Sequence, residues 1–300
     1  MASFITSDQS NMGNPRGGIP WYLDTLERVP PLAQRVLQDY AGLKQDEVKG
    51  HIENIREKAW ESSPYPCIGL FRFLDFSLPD SPRYADILER LKNGQQLLDF
   101  GCCFGHDVRA LITDGAPAEN ICGAELNTTF LDLGYELFRD RETLKSSLYT
   151  ANIFNEDGKL WKERLEDFDV IHAGSFLHLF TLDGQKKAAI TLLKLLKKQR
   201  GSLIVGRQHG SRKAKEVRNY LYKPTRESED NGRLDTFFNH DSESFTRMWE
   251  EIGQETGLQF MVKTEWGTWG SANGMDPAYY KLWSWEDKDT MRFKFWIELV

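Results

Sequence analysis

Apolar residues follow two regimes along this chain. Up to about residue 93 they recur at three- and four-residue intervals; after Gly94, short apolar runs alternate with amphipathic segments. In the first regime Leu23, Leu26, Val29, Leu32, Val36, Leu37 and Tyr40 keep helical spacing across Pro30-Pro31, and Ile52, Ile55 and Trp60 continue it on a charged face. The stretch from Trp21 to about Ser62 is therefore predicted to be helical. Ser63 to Gly69 predicts a turn, leading into the aromatic run Leu70-Phe71-Arg72-Phe73-Leu74. Met1 to Pro20, rich in Ser, Asn, Gly and Pro, reads as a loose arm. In the second regime strands are expected at Gln95–Phe100, Ile121–Glu125, Leu148–Asn152, Phe168–Ala173 and Ser202–Val205, with helices at Asp107–Asp114, Phe130–Arg139 and Gln185–Gln199. A helix over Ser244–Thr256 and strands over Leu258–Thr264 and Arg292–Val300 close the chain. This alternation predicts an α/β fold, a mostly parallel sheet covered by helices, with an antiparallel edge. Residues 1–93 form an N-terminal arm and helical lid in this reading, and residues 94–300 the main domain.

One segment carries a sharper message. In Leu97-Leu98-Asp99-Phe100-Gly101-Cys102-Cys103-Phe104-Gly105-His106-Asp107 an apolar strand runs into a glycine-bearing turn and then a helix. Gly101 and Gly105 permit a tight turn and close backbone approach to a ligand, with Cys102 in the same turn. About twenty residues on, Glu125 closes Ile121-Cys122-Gly123-Ala124-Glu125, where a carboxylate can accept hydrogen bonds from both hydroxyls of a ribose. A nicotinamide dinucleotide uses the same ribose contact, so the rest of the turn decides. The middle glycine of G-x-G-x-x-G is replaced by Cys103, and Asp99 stands two residues before the first glycine. A carboxylate aimed at a diphosphate is unfavourable, whereas aimed at an ammonium group it is favourable. The motif thus favours S-adenosylmethionine, bound in a Rossmann-like class I methyltransferase sheet. An NAD(P)-dependent oxidoreductase and a non-catalytic methyltransferase-like binding protein are the alternatives.

Further candidates follow from the strand ends, where open α/β sheets bind ligands. Asn152 has an amide suited to the adenine amine, with Ile153 and Phe154 against the ring; a capping Asn is the competing reading. The run Phe168 to Phe180 places Ser175 and His178 near cofactor and substrate, His178 as a positioning group or base. His172, inside the strand, is expected to be a hydrogen-bonded core residue, His209 to reach the pocket rim, and His51 and His240 to lie in polar surroundings. Aromatic clusters on both sides of the main domain suit an apolar substrate chamber, with Tyr65, Phe71 and Trp269 as lining residues. Arg72, a charge between Phe71 and Phe73, is expected to pair with a carboxylate of the protein or of the substrate. Ala173 to Leu182 holds no carboxylate to place a metal after the fourth strand, so no metal is expected.

Composition narrows the partners. A net charge of −7 argues against duplex DNA or an anionic membrane. The lysines between Lys186 and Arg200 share a segment whose leucines and Ile190 keep helical spacing, which reads as a solvated helix face. The four cysteines form no C-x-x-C pair, which with the lack of a signal peptide or membrane span points to a reducing, cytoplasmic setting.

LLDFGCCFGHD, GAEL (Gly123 to Leu126), ANIF (Ala151 to Phe154) and the HAGSFLHLF stretch together resemble fungal secondary-metabolite methyltransferases, in particular those of meroterpenoid pathways. The N-terminal helices and Pro64 to Pro79 share the resemblance, which therefore covers most of the chain. It implies O-methylation of a carboxyl group on an apolar prenylated polyketide, cofactor contacts at Ala124, Glu125, Leu126, Asn152 and Ile153, and a homodimer.

Overall fold

The computed structural model of the chain describes residues 21–218, 236–267 and 288–300. Four helices precede the sheet: α1 (Pro31–Asp39), α2 (Gln45–Ser62), the single turn α3 (Pro66–Gly69) and α4 (Tyr84–Lys92). Then come β1 (Leu97–Phe100), α5 (His106–Thr113), β2 (Ile121–Glu125), α6 (Thr128–Phe138), β3 (Ser147–Thr150), α7 (Lys159–Glu163), β4 (Val170–His172), α8 (Leu182–Leu195) and β5 (Leu203–Ser211). The antiparallel pair β6 (Lys215–Arg218) and β7 (Thr236–Asn239), helix α9 (Ser242–Thr256), β8 (Phe260–Trp266) and β9 (Thr290–Leu299) complete the described chain.

The main sheet has the order β3-β2-β1-β4-β5-β9-β8. The first five strands pair in parallel, and β9 pairs antiparallel with both β5 and β8. This is the Rossmann-like class I methyltransferase sheet, with antiparallel pairing at one edge as the sequence predicts. β1 and β4 are buried at every position because helices cover both faces, which is why they read as unbroken apolar runs. Order reverses between β1 and β4, so a crevice opens above their carboxyl ends.

Two predictions need correction. Residues 21–30 keep helical spacing but are not helical, because α2 side chains take their backbone groups. Arg56 donates to the Leu23 carbonyl at 2.7 Å, and the Leu26 N–H donates to Glu53 at 3.0 Å. Helix α4, between the aromatic run and β1, was not anticipated. The N-terminal helices do not bury their apolar faces alone: Val36, Val48, Ile52, Ile55 and Phe73 share one core with Phe104, Phe130, Leu137 and Phe138 of the sheet domain.

Candidate functional site

The turn after β1 is fixed from three sides. The Gly101 and Cys102 N–H groups both donate to the Ala124 carbonyl, at 2.8 and 3.0 Å, and the Gly105 N–H returns to the Cys102 carbonyl at 2.7 Å. Gly101 and Gly105 have φ of 78° and 65°, the left-handed region that glycine enters without strain. A Cβ at Gly101 would stand 3.0 Å from the Phe176 ring, and one at Gly105 would strike the Arg109 guanidinium at 2.3 Å. Cys103 also adopts a positive φ, 52°. Arg109 supports the turn from beneath: it donates to the carbonyls of Phe104 (3.1 Å) and Gly105 (3.3 Å) and forms a two-pronged pair with Asp140, both bonds 2.9 Å. Tyr40 of the N-terminal region donates to the same carboxylate at 2.8 Å.

Glu125, at the end of β2, ties the turn to the next loop. Its two oxygens accept the backbone N–H of Cys103 and of Asn127, each at 3.0 Å. These two bonds fix the plane of the carboxylate. Leu126 beside it is 52% exposed. Ala124 is buried with its carbonyl spent on the turn, and Cys102 is buried with its thiol pushed up chiefly by desolvation. At the end of β3, Asn152 Oδ1 accepts the Phe154 N–H at 3.0 Å, the local turn that was the competing reading, while Ile153 is buried in the main core.

Asp99 is 3% exposed and accepts from His172 Nδ1 at 2.7 Å; His172 Nε2 meets Ser77 Oγ at 2.6 Å. Burial disfavours charge on His172, but Asp99 beside it outweighs that and holds its pKa above the ordinary value. Asp107 lies against the same group, its oxygens accepting the Ser77 and Leu78 N–H at 3.2 and 3.0 Å. Asp99, Asp107 and His172 bring donor atoms within 4.8 Å of one another, the spacing of a metal site. Those donors are already engaged: both His172 nitrogens and both Asp107 oxygens hold protein partners.

Beyond β4, Ser175 takes φ 54° and donates its N–H to the Arg207 carbonyl at 2.7 Å. His178 and His209 meet edge to face, with ring centroids 5.0 Å apart. Desolvation alone lowers His178 to about 4. Burial first, then His178, Arg292, Arg72 and Arg207, pushes His209 well below its ordinary value, so three guanidinium charges are felt at the end of β5. Arg72 pairs with the protein carboxylate of Asp75 at 2.9 Å, and Arg207 donates to the Asp75 carbonyl. An aromatic row, Phe100, Phe176, Phe180 and Phe154, runs beside them with successive centroids 5.1, 5.4 and 5.1 Å apart.

The structure therefore gathers Asp99, Gly101, Cys102, Gly105, Ala124 and Glu125 around one turn, and His178 beside His209. Phe71 does not join them: its ring is fully buried in the N-terminal core, with the Arg56 guanidinium 4.2 Å above it. Tyr65 is half-buried at the margin of that core, and Trp269 lies outside the described residues. His240 keeps one polar partner, Ser244 Oγ at 2.9 Å from Nδ1, but is wholly buried between Phe238 and Phe245, and desolvation lowers it to about 4. Sequence reasoning did not anticipate Ser77, Arg109 or Arg207. An arginine between Val108 and Ala110 was a usable signal for Arg109; Ser77 offered none.

Residues 21–74 match the family model described as the meroterpenoid methyltransferase N-terminal domain. The chain is 41% identical over 247 residues to the O-methyltransferase phiE of a fungal species, covering 81% of this chain and 78% of phiE. It is 42% identical to the O-methyltransferase atr3 of Stereocaulon alpinum (82% of this chain, 68% of atr3). To the Asnovolin E/Chermesin D methyltransferase nvfJ of Aspergillus novofumigatus it is 36% identical (79% and 82%). The chain belongs to this O-methyltransferase family.

Proposed function

We propose that the chain transfers a methyl group from S-adenosylmethionine to an oxygen of an apolar small molecule, with a carboxylate as the preferred acceptor. The observation that carries the cofactor reading is the turn itself: left-handed glycines at 101 and 105, a carboxylate clamped beside them at Glu125, and the Asp99 carboxylate beneath. The residues fit the group. Asp99 Oδ2 meets no donor among the described residues and is not fully enclosed, so it is open to an ammonium. Glu125 suits a ribose diol, and the exposed Leu126 and half-buried Asn152 at the next two strand ends suit an adenine, with Ile153 buried behind them. S-adenosylmethionine supplies the methyl group as an electrophilic sulfonium when bound.

The acceptor side supports an oxygen that is already ionised. With a pKa near 4, His178 is uncharged at neutral pH and a weak base, which suits holding an acceptor better than deprotonating a phenol of pKa near ten. Of the aromatic row, the half-buried Phe176 and Phe154 offer apolar surface to the rest of the substrate, backed by the buried rings of Phe100 and Phe180. The relative nvfJ is named for asnovolin E and chermesin D, and the N-terminal family model for meroterpenoids, which supports a polyketide–terpenoid acid as the acceptor class for this chain. Titration calorimetry with S-adenosylhomocysteine and with NADPH tests the cofactor: binding of the first alone is expected, and binding of the second alone overturns it. Turnover of paired acceptors differing only in carboxylic acid against phenol then tests the acceptor.

A further inference from the structure

We infer that Ser77 and His172 are positioning residues for the methyl donor, holding Asp99 so that its second oxygen faces the cofactor's ammonium group. The inference rests on the reading of the turn given above. Three side chains form one line: Ser77 Oγ to His172 Nε2 at 2.6 Å, and His172 Nδ1 to Asp99 Oδ1 at 2.7 Å. All three are at most 9% exposed, and they come from three segments of chain: the loop after the aromatic run, β4 and β1. The loop itself is pinned, because the Ser77 and Leu78 N–H groups both donate to Asp107 at the start of α5. A side chain larger than hydrogen has no place behind the line: a Cβ at Gly174 would lie 2.3 Å from Ser77 Oγ and 2.7 Å from His172 Nε2.

The arrangement resembles a nucleophile triad in composition, but its burial and direction give it another task. An ionised carboxylate only accepts, so His172 Nδ1–H donates to Asp99 whether the ring is neutral or charged. The Ser77 hydroxyl adapts to the other nitrogen, donating to the neutral ring and accepting from the imidazolium. One oxygen of Asp99 is thus always committed, its plane is fixed, and the other oxygen meets no donor among the described residues. A carboxylate fixed in advance loses less freedom on engaging an ammonium than one that must be ordered at binding. Because Ser77 belongs to the N-terminal region, the same line joins that region to donor binding.

The test compares His172→Phe, His172→Asn, Ser77→Ala and wild type by S-adenosylhomocysteine titration, steady-state kinetics and thermal unfolding. Asn retains a short amide donor toward Asp99, whereas Phe does not. His172→Phe is expected to raise the Kd and the donor KM about tenfold, the effect of misdirecting one charge-assisted hydrogen bond, with kcat at saturating donor changed far less. His172→Asn is expected to recover most of that loss, and Ser77→Ala to raise the Kd roughly threefold, as for one neutral hydrogen bond. If the folded variants bind as wild type does and only unfold at lower temperature, the residues are merely structural and the inference fails. If His172→Phe does not fold, Ser77→Ala and His172→Asn decide: wild-type affinity in both overturns it. Failure of wild type itself to bind would instead overturn the cofactor reading.

Discussion

Glu125 shows how one side chain can shape a site and also serve it. Its oxygens hold the Cys103 and Asn127 N–H groups, so the carboxylate cannot turn away from the crevice. Glu125→Ala is expected to weaken S-adenosylhomocysteine binding by about 2 kcal/mol or more, since hydrogen bonds to a charged group contribute about 1.5–3 kcal/mol each. Calorimetry on the folded variant checks this, and unchanged affinity removes Glu125 from the site. Both His172 nitrogens and both Asp107 oxygens are held by protein partners, which leaves a cation too few donors there, so turnover is expected to survive EDTA. Loss of activity in chelator, restored by Mg²⁺, would show that a cation displaces those bonds. Asp99, Gly101, Gly105 and Glu125 were legible in the sequence because a strand, a turn and a helix impose local spacing on them. Ser77 was not, because it meets His172 across 95 residues and no periodicity encodes such a contact.

Among the elements, α5 and α6 bind the N-terminal helices to the sheet domain. Arg109 of α5 is fully buried and paired with Asp140, just after α6, while Tyr40 from the end of α1 reaches the same carboxylate. Removing one member of a buried pair strands the other charge, so Asp140→Ala is expected to destabilise the fold by about 3–5 kcal/mol. Because Arg109 also holds the Phe104 and Gly105 carbonyls, cofactor affinity should fall with it. Urea unfolding and titration on one preparation measure both; a stability loss below about 1 kcal/mol would mean the pair is not sealed from solvent. Deleting residues before Gly94 would uncover Phe104, Phe130, Leu133, Leu137 and Phe138, now in a shared core. The truncated chain is expected to bind a hydrophobic dye and lose turnover; full activity would make the N-terminal region a separate module. The sheet was readable because buried parallel strands are continuous apolar runs. Residues 21–30 misled because their apolar spacing is helical, but Arg56 and Glu53 recruit their backbone from outside.

The whole molecule carries a pH signature set by its buried imidazoles. His178 and His240 are lowered to about 4, and His209 well below its ordinary value, all chiefly by desolvation. A group whose folded pKa is depressed stays neutral in the native state while the unfolded chain takes up its proton. Native stability is therefore whole above the unfolded value of 6.5 and falls as the pH drops from there toward 4. Each such histidine contributes a slope of up to about 1.4 kcal/mol per pH unit in that window. His172 runs the other way: its pKa is raised, so its contribution is complete below 6.5 and is lost only as pH rises through a higher value. It does not cancel the acid loss. Burial is the largest single influence on Asp241 and acts upward, but the Ser244 and Ala214 N–H groups together hold its pKa below the ordinary value, so it protects the fold until the pH falls through the carboxylate range. Acid destabilisation is thus expected to begin with the histidines, well before the carboxylates titrate. Urea midpoints measured from neutral pH down to about pH 4.5 should fall steadily, and His240→Asn should flatten the decline by close to one proton's worth. A midpoint that holds constant down to pH 4.5 would mean that the imidazoles gain solvent or partners in the native state, and the enclosed aromatic surroundings of His240 would then have to open.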